Sequence, residues 1–259
     1  MQATVEVTVG AGPRHSGFAG GVMPDAAIAL NVILARLFWK NGRIPVPGFY
    51  DGIQPMTARE RQWMKQLPMD EKHIRNELGL LPDVELAHRV HPLQQTAREP
   101  AVTIIAQEAS SLAHKSNQVL NKATAVISCR IAPGQDRHKV LDAVTKALTK
   151  DPPWNARVTV TKSRGLSPWI TDPTGPAFEA ARAALREGFG KEPGMLGAGG
   201  SIGFVQPMSE LLNNAPVLMF GIEDPLSNAH APDESLHEQD FLKLTRSLAI
   251  FFDRSSSGF

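Results

Sequence analysis

The sequence predicts an α/β protein: an α+β domain of ferredoxin-like βαββαβ order, followed by parallel βαβ units. Three observations carry this prediction. Apolar residues alternate with period two at residues 4–9, and the apolar run 123–131 and residues 157–161 read as further strands. Apolar positions three and four apart mark amphipathic helices between those runs. From about residue 169 onward, short apolar runs alternate with helices, which is the signature of parallel units.

The elements follow in order. Residues 4–9 form a strand ended by the turn Gly10-Ala-Gly-Pro13. Pro24 opens a helix with Ala26, Leu30, Ile33, Leu34 and Leu37 on one face, and Asn41-Gly42 stops it. Residues 43–100 are rich in proline and polar groups and read as an insertion, with helices over 57–66 and 71–78. Strands follow at 102–107 and 123–131, the second ending at Pro133-Gly134. Asp136 caps a helix with Val140, Val144, Ala147 and Leu148 on its apolar face, and a strand at 157–161 completes the split βαβ arrangement. This first domain is expected over 1–168. The second, 169–259, holds a helix over 176–187 closed by Gly188 or Gly190, and a short strand near 193–197. A helical segment then runs to about Leu212, followed by a strand at 216–222 and a helix over 238–253. That last helix is apolar at Phe241, Leu244, Leu248 and Phe251.

Composition sets the class. With 259 residues the chain can bury one large core or two moderate ones. A net charge of +1 without a basic cluster argues against nucleic acid and against an anionic membrane surface as partners. The single cysteine, Cys129, sits in an apolar run, so it reads as a buried thiol in a reducing compartment. No apolar run approaches the ~20 residues of a membrane span, and the amino terminus lacks a signal-peptide pattern. A cytoplasmic location is expected.

The stretch 222–235, Ile-Glu-Asp-Pro-Leu-Ser-Asn-Ala-His-Ala-Pro-Asp-Glu-Ser, carries His230 on a polar loop after an apolar run. Its neighbours in chemistry are His15-Ser16-Gly17 with Gly20-Gly21-Val-Met-Pro24, the run Val46-Pro47-Gly48-Phe49-Tyr50-Asp51, and Ala125-Val-Ile-Ser-Cys-Arg130-Ile-Ala-Pro-Gly-Gln-Asp136. Gly199-Gly200-Ser201-Ile202 completes the set. In this order the words resemble the di-zinc metallopeptidases that include carboxypeptidase G, aminoacylase-like deacylases and dipeptidases. The resemblance implies a lid, or dimerisation, domain followed by the carboxyl-terminal half of a catalytic domain.

It also implies roles. His15 becomes the lid histidine that reaches across a dimer and polarises the scissile carbonyl, Asn117 a polar substrate contact, and Arg130 the holder of the substrate carboxylate. Gly199 and Gly200 form the glycine loop beside the metals, and His230 is the last zinc ligand. The family's other metal ligands lie upstream of the lid, whereas Met1 stands at the lid's first strand. A catalytic zinc needs about three protein ligands and an open position, so His230 is insufficient alone and no cofactor is expected. Leu120 stands where relatives commonly have proline, and Gly197-Ala198 where many carry Arg-Glu.

A second chemistry stays open. Gly203 replaces the usual proline and turns the loop into a literal G-x-S-x-G, a pattern that exposes a serine Oγ on a tight strand-to-helix turn. Ser201 as nucleophile, His230 as base and Asp224 as its orienting carboxylate would follow the order of α/β-hydrolases. The substrate would be a small ester, a peptide or an N-acyl amino acid. The third reading is a non-catalytic dimerisation or binding module. An open sheet edge and an exposed apolar face are expected to drive self-association into a homodimer or larger homo-oligomer.

Overall fold

The computed structural model describes residues 1–163, 165–197, 202–224, 226–229 and 231–256, and they divide into two compact units. The first unit holds Met1–Thr57, Asp83–Pro168 and Gly197–Ser201; the second holds Ala58–Pro82, Trp169–Leu196 and Ile202–Phe259.

Strands β1 (Gln2–Thr8), β2 (Arg14–His15), β3 (Ala101–Glu108), β4 (Gln118–Val119), β5 (Lys122–Arg130) and β6 (Arg157–Lys162) all belong to the first unit. So do helices α1 (Ser16–Ala19) and α2 (Ala26–Leu34). The main sheet runs β3-β5-β1-β6 with every pair antiparallel. Strand β5 thus lies between β1 and β3, the split arrangement that the order of apolar runs predicted. Alternation decides the faces: Ala3, Val5 and Val7 of β1 and Ala123, Ala125, Ile127 and Cys129 of β5 are buried.

Helix α2 covers this face with Ala26, Ala29, Leu30, Ile33 and Leu34. Its cap is Asp25 rather than Pro24: the carboxylate accepts the N–H groups of Ala27 at 2.8 Å and Ile28 at 3.1 Å. Of the next four helices, α3 (Ala58–Gln66) and α4 (Glu71–Glu77) lie in the second unit, while α5 (Pro92–Arg98) and α6 (Arg137–Thr149) lie in the first. Helix α6 adds Val140, Leu141, Val144 and Leu148 to the core. Asp136 caps it through the N–H groups of His138 and Lys139, and these bonds hold its carboxyl below the ordinary carboxylate range.

Residues 44–54 are integral to the first unit. Ile44, Val46 and Phe49 are buried with the sheet residues, and Gln135 staples the segment in place. The Gln135 side chain accepts the Ala132 N–H at 2.8 Å and donates to the Phe49 carbonyl at 2.8 Å and the Asp51 carbonyl at 3.3 Å. The Gln54 N–H donates to the Pro133 carbonyl at 2.8 Å.

In the second unit, α7 (Pro176–Phe189) packs on α9 (Glu238–Ser255), and α8 (Val205–Leu211) lies between them in sequence. Helix α7 buries Ala177, Phe178, Ala181 and Ala184, and Gly190 ends it in a left-handed conformation. Residues 193–197 and 216–222, expected as strands, belong to no ladder. A strand exists only where a neighbouring backbone accepts its N–H and C=O groups, and every described strand lies in the first unit. The apolar side of α9 is also less covered than its pattern suggests, with Phe241 48% and Phe252 64% exposed.

Candidate functional site

The β1–β5 ladder continues past its last pair, Thr8 with Lys122, into a narrow ribbon. The Val9 N–H donates to the Asn121 carbonyl at 2.9 Å, and β2 then pairs with β4 as Arg14↔Val119 and His15↔Gln118. This ribbon brings together two of the expected binding residues. The Ser16 N–H, next to His15, donates to the Asn117 carbonyl at 2.8 Å. Both His15 and Asn117 are exposed.

His15 is also the N-cap of α1: its Nδ1 accepts the Gly17 N–H at 3.1 Å. Glycine makes this approach feasible, because a Cβ at position 17 would stand 3.0 Å from His15 Cε1 and 3.1 Å from Nδ1. The consequence is chemical. With Nδ1 accepting, a neutral imidazole must carry its proton on Nε2, so the ring presents an N–H donor on its far side. Phe18, in α1, and Val22, shortly after it, are 85% and 84% exposed.

Arg130 is the last residue of β5 and pairs with Ala101 at the start of β3. It is exposed, at the opposite end of the strand from the ribbon. With a rise of about 3.3 Å per residue, the steps from Lys122 to Arg130 span roughly 26 Å. A dipeptide reaches about 7 Å. Within one chain, therefore, His15 and Arg130 do not meet on the same small substrate.

In the second unit Asp224 builds a turn. Its Oδ1 accepts the Leu226 N–H at 2.8 Å and the Ser227 hydroxyl at 3.1 Å, while its own N–H donates to Ser227 Oγ at 2.9 Å. Ser227 is buried, its carbonyl accepts the Ser235 N–H at 2.9 Å, and the Asn228 side chain closes onto the Pro232 carbonyl at 2.7 Å. Ser227 escaped notice in the sequence. The signal was there: aspartate followed three residues later by serine is a turn-forming pair.

Ser201, Gly199, Gly200 and His230 lie outside the described residues. Among the described residues no three His, Cys, Asp or Glu side chains cluster as metal ligands would. Cys129 is fully buried in the core, and burial pushes its thiol up to about 11. No described helix is long and apolar enough to cross a membrane.

The fold has known counterparts. Human carnosine dipeptidase 1 superposes with a TM-score of 0.82 at 24% identity, over 97% of this chain and 53% of that one. The cysteinylglycine-S-conjugate dipeptidase of Corynebacterium striatum is 31% identical over 228 residues, 87% of this chain and 48% of the relative. The Cys-Gly metallodipeptidase of Saccharomyces cerevisiae is 24% identical over 244 residues, 92% of this chain and 50% of the relative. The chain thus spans about half the length of the curated relatives it matches. The model of peptidase family M20/M25/M40 matches residues 5–254. The chain belongs to that peptidase family.

Proposed function

We propose that this chain is the peptide-gripping part of a metal-dependent dipeptidase that works as a homodimer. Residues 1–168 act as its lid, interrupted at 43–100, and residues 169–259 form the carboxyl-terminal half of its catalytic domain. The carrying observation is the position of the expected binding residues at opposite ends of β5. His15 and Asn117 serve the substrate held by a partner copy, while Arg130 holds a substrate carboxylate in its own copy. His15, with Nδ1 committed to the Gly17 N–H, donates from Nε2 to the scissile carbonyl and stabilises charge as it develops there. In the whole assembly a zinc would be held by His230 together with ligands from outside the described residues, and it would supply a Lewis acid and an activated water.

A two-fold contact has a surface to use. β3 is a sheet edge with Ile104 49% and Ile105 51% exposed, and α2 turns Ile28 and Val32 outward as well. The dipeptide substrate class follows the relatives named above.

The test is cysteinylglycine hydrolysis by the assembled protein, with and without a chelator. His15→Ala is expected to lower kcat by about a hundredfold or more with little change in KM. Arg130→Met should chiefly raise KM. Activity that survives the chelator and is blocked by a serine-directed phosphonate would overturn this reading in favour of Ser201. That alternative has a cost at Asp224, whose Oδ1 is already engaged by Leu226 and Ser227.

A further inference from the structure

A small cavity of about 160 Å³ in the first unit is lined by Gly42, Arg43, Tyr50, Arg89, Gln95 and Glu99. None of these residues takes part in the dipeptidase reading. One wall is a tight turn: Asn41 and Gly42 have φ of 54° and 73° and close the Lys40–Arg43 bridge. Gly42 lies against the next wall, where a Cβ would stand 2.9 Å from the Arg89 backbone nitrogen. Tyr50 is fixed from two sides. Its hydroxyl accepts the Ile44 N–H at 2.8 Å, and its ring meets the buried Phe49 edge-on, with centroids 5.2 Å apart.

The Arg43 guanidinium stacks over Tyr50, 3.8 Å from the ring centroid. Stacking orients the guanidinium plane while leaving its in-plane N–H groups able to donate. Arg89 and Glu99 line the same space, yet among the described residues neither arginine forms an ion pair with Glu99. Among the described residues the Glu99 carboxylate has only a long contact, 3.5 Å, from the Gln94 amide. The exposed Arg43 and Arg89 and the half-buried Glu99 thus line one cavity without a direct ion pair between them.

That charge pattern selects a ligand. Phosphate would satisfy the arginines but be repelled by Glu99, and a simple carboxylate would leave Glu99 without a partner. A simple amine has the reverse defect. Only a small molecule with both charges pairs all three groups at once. A cavity of about 150 Å³ in another protein holds a benzene molecule, so this one suits a ligand of about six heavy atoms. We propose that this cavity binds a free α-amino acid with a small side chain, its carboxylate between Arg43 and Arg89 and its ammonium group at Glu99. The inference does not depend on the dipeptidase reading, since neither metal nor hydrolysis enters it.

Calorimetric titration of the purified chain with L-alanine, without added metal, tests it. Saturable binding is expected, with propionate, ethylamine and inorganic phosphate each at least about tenfold weaker. Arg89→Met and Glu99→Gln should each weaken L-alanine at least about tenfold, at unchanged thermal stability. Glu99→Gln should also narrow the gap between L-alanine and propionate, which a merely structural role would not do. Arg130→Met should leave L-alanine binding intact. The proposal is overturned if L-alanine does not bind, if phosphate or propionate binds as well, or if Arg130→Met abolishes binding.

Discussion

Replacing Gln135 with methionine tests how the loop behind Arg130 is held. Gln135 is 5% exposed, and its side chain bonds three backbone groups on two segments. Methionine keeps the length and removes every bond. The Asp51 carbonyl is near the surface and can turn to water. The Ala132 N–H and the Phe49 carbonyl belong to residues 2% and 0% exposed and cannot. Each buried backbone group left unpaired costs about 1–3 kcal/mol, so the pair amounts to about 2–6 kcal/mol, near the top of what one substitution does. For a protein of this size each kcal/mol lowers Tm by about 2–4 °C, so a fall of roughly 4–24 °C is expected. Urea unfolding followed by circular dichroism gives the free energy, and calorimetry the midpoint. A loss below about 1 kcal/mol would refute the reasoning, because it would mean that water reaches these groups or that the segment never depended on the staple.

Four further outcomes follow from the structure. Cys129 should resist iodoacetamide in the native protein at pH 8 and react once urea unfolds it. Because burial raises its thiol from the ordinary 9.0 to about 11, the folded state favours the proton. The associated stability is therefore complete below pH 9 and is lost as pH climbs to about 11. This slope, worth roughly 2–3 kcal/mol, should vanish in Cys129→Ala. Asp25→Ala, which removes a cap bonded to Ala27 and Ile28 and a contact to the Leu120 N–H, should destabilise the first unit by about 1–2 kcal/mol in urea titration. Ser227→Ala should speed amide exchange at Asp224 with little change in global stability, since only the local turn is released.

The sequence made legible whatever is written in local periodicity. The apolar run 123–131 predicts β5 and the burial of Cys129, and the Asp136 cap stands where a capping residue precedes an amphipathic run. Boundaries were less legible: Pro24 fits the first turn of a helix, but the carboxylate one residue later makes the bonds. Residues 44–54 read as part of the proline-rich, polar insertion at 43–100 because Pro45, Pro47, Gly48 and Gly52 interrupt any apolar period. The three apolar side chains that enter the core there are too few to set a period. Residues 216–222 look like a strand because their apolar run says only that they would be covered, while pairing depends on a partner that no single segment specifies.

At the site, motif order pointed to His15 and Asn117, which the structure brings side by side. Nothing in the spacing announced that the Gly17 N–H fixes the imidazole tautomer. The cavity around Arg43 and Glu99 was invisible for the same reason that ion pairs are. Its groups come from three separated stretches, and only the folded backbone brings them together.

The two ends of β5 differ in stiffness. At the Arg130 end, Cys129, Ala132, Pro133 and Gln135 are buried, so the backbone there opens only when the core itself opens. At the other end, residues 110–118 are exposed throughout, and two ladder pairs with one short cap join β2 to β4. That ribbon can fray at small free-energy cost while the sheet below it stays intact. A single strand thus joins a buried end to a thinly paired one, and on the proposed function a ligand engaged at the His15 end would carry an ordering-entropy cost that one engaged at the Arg130 end would not.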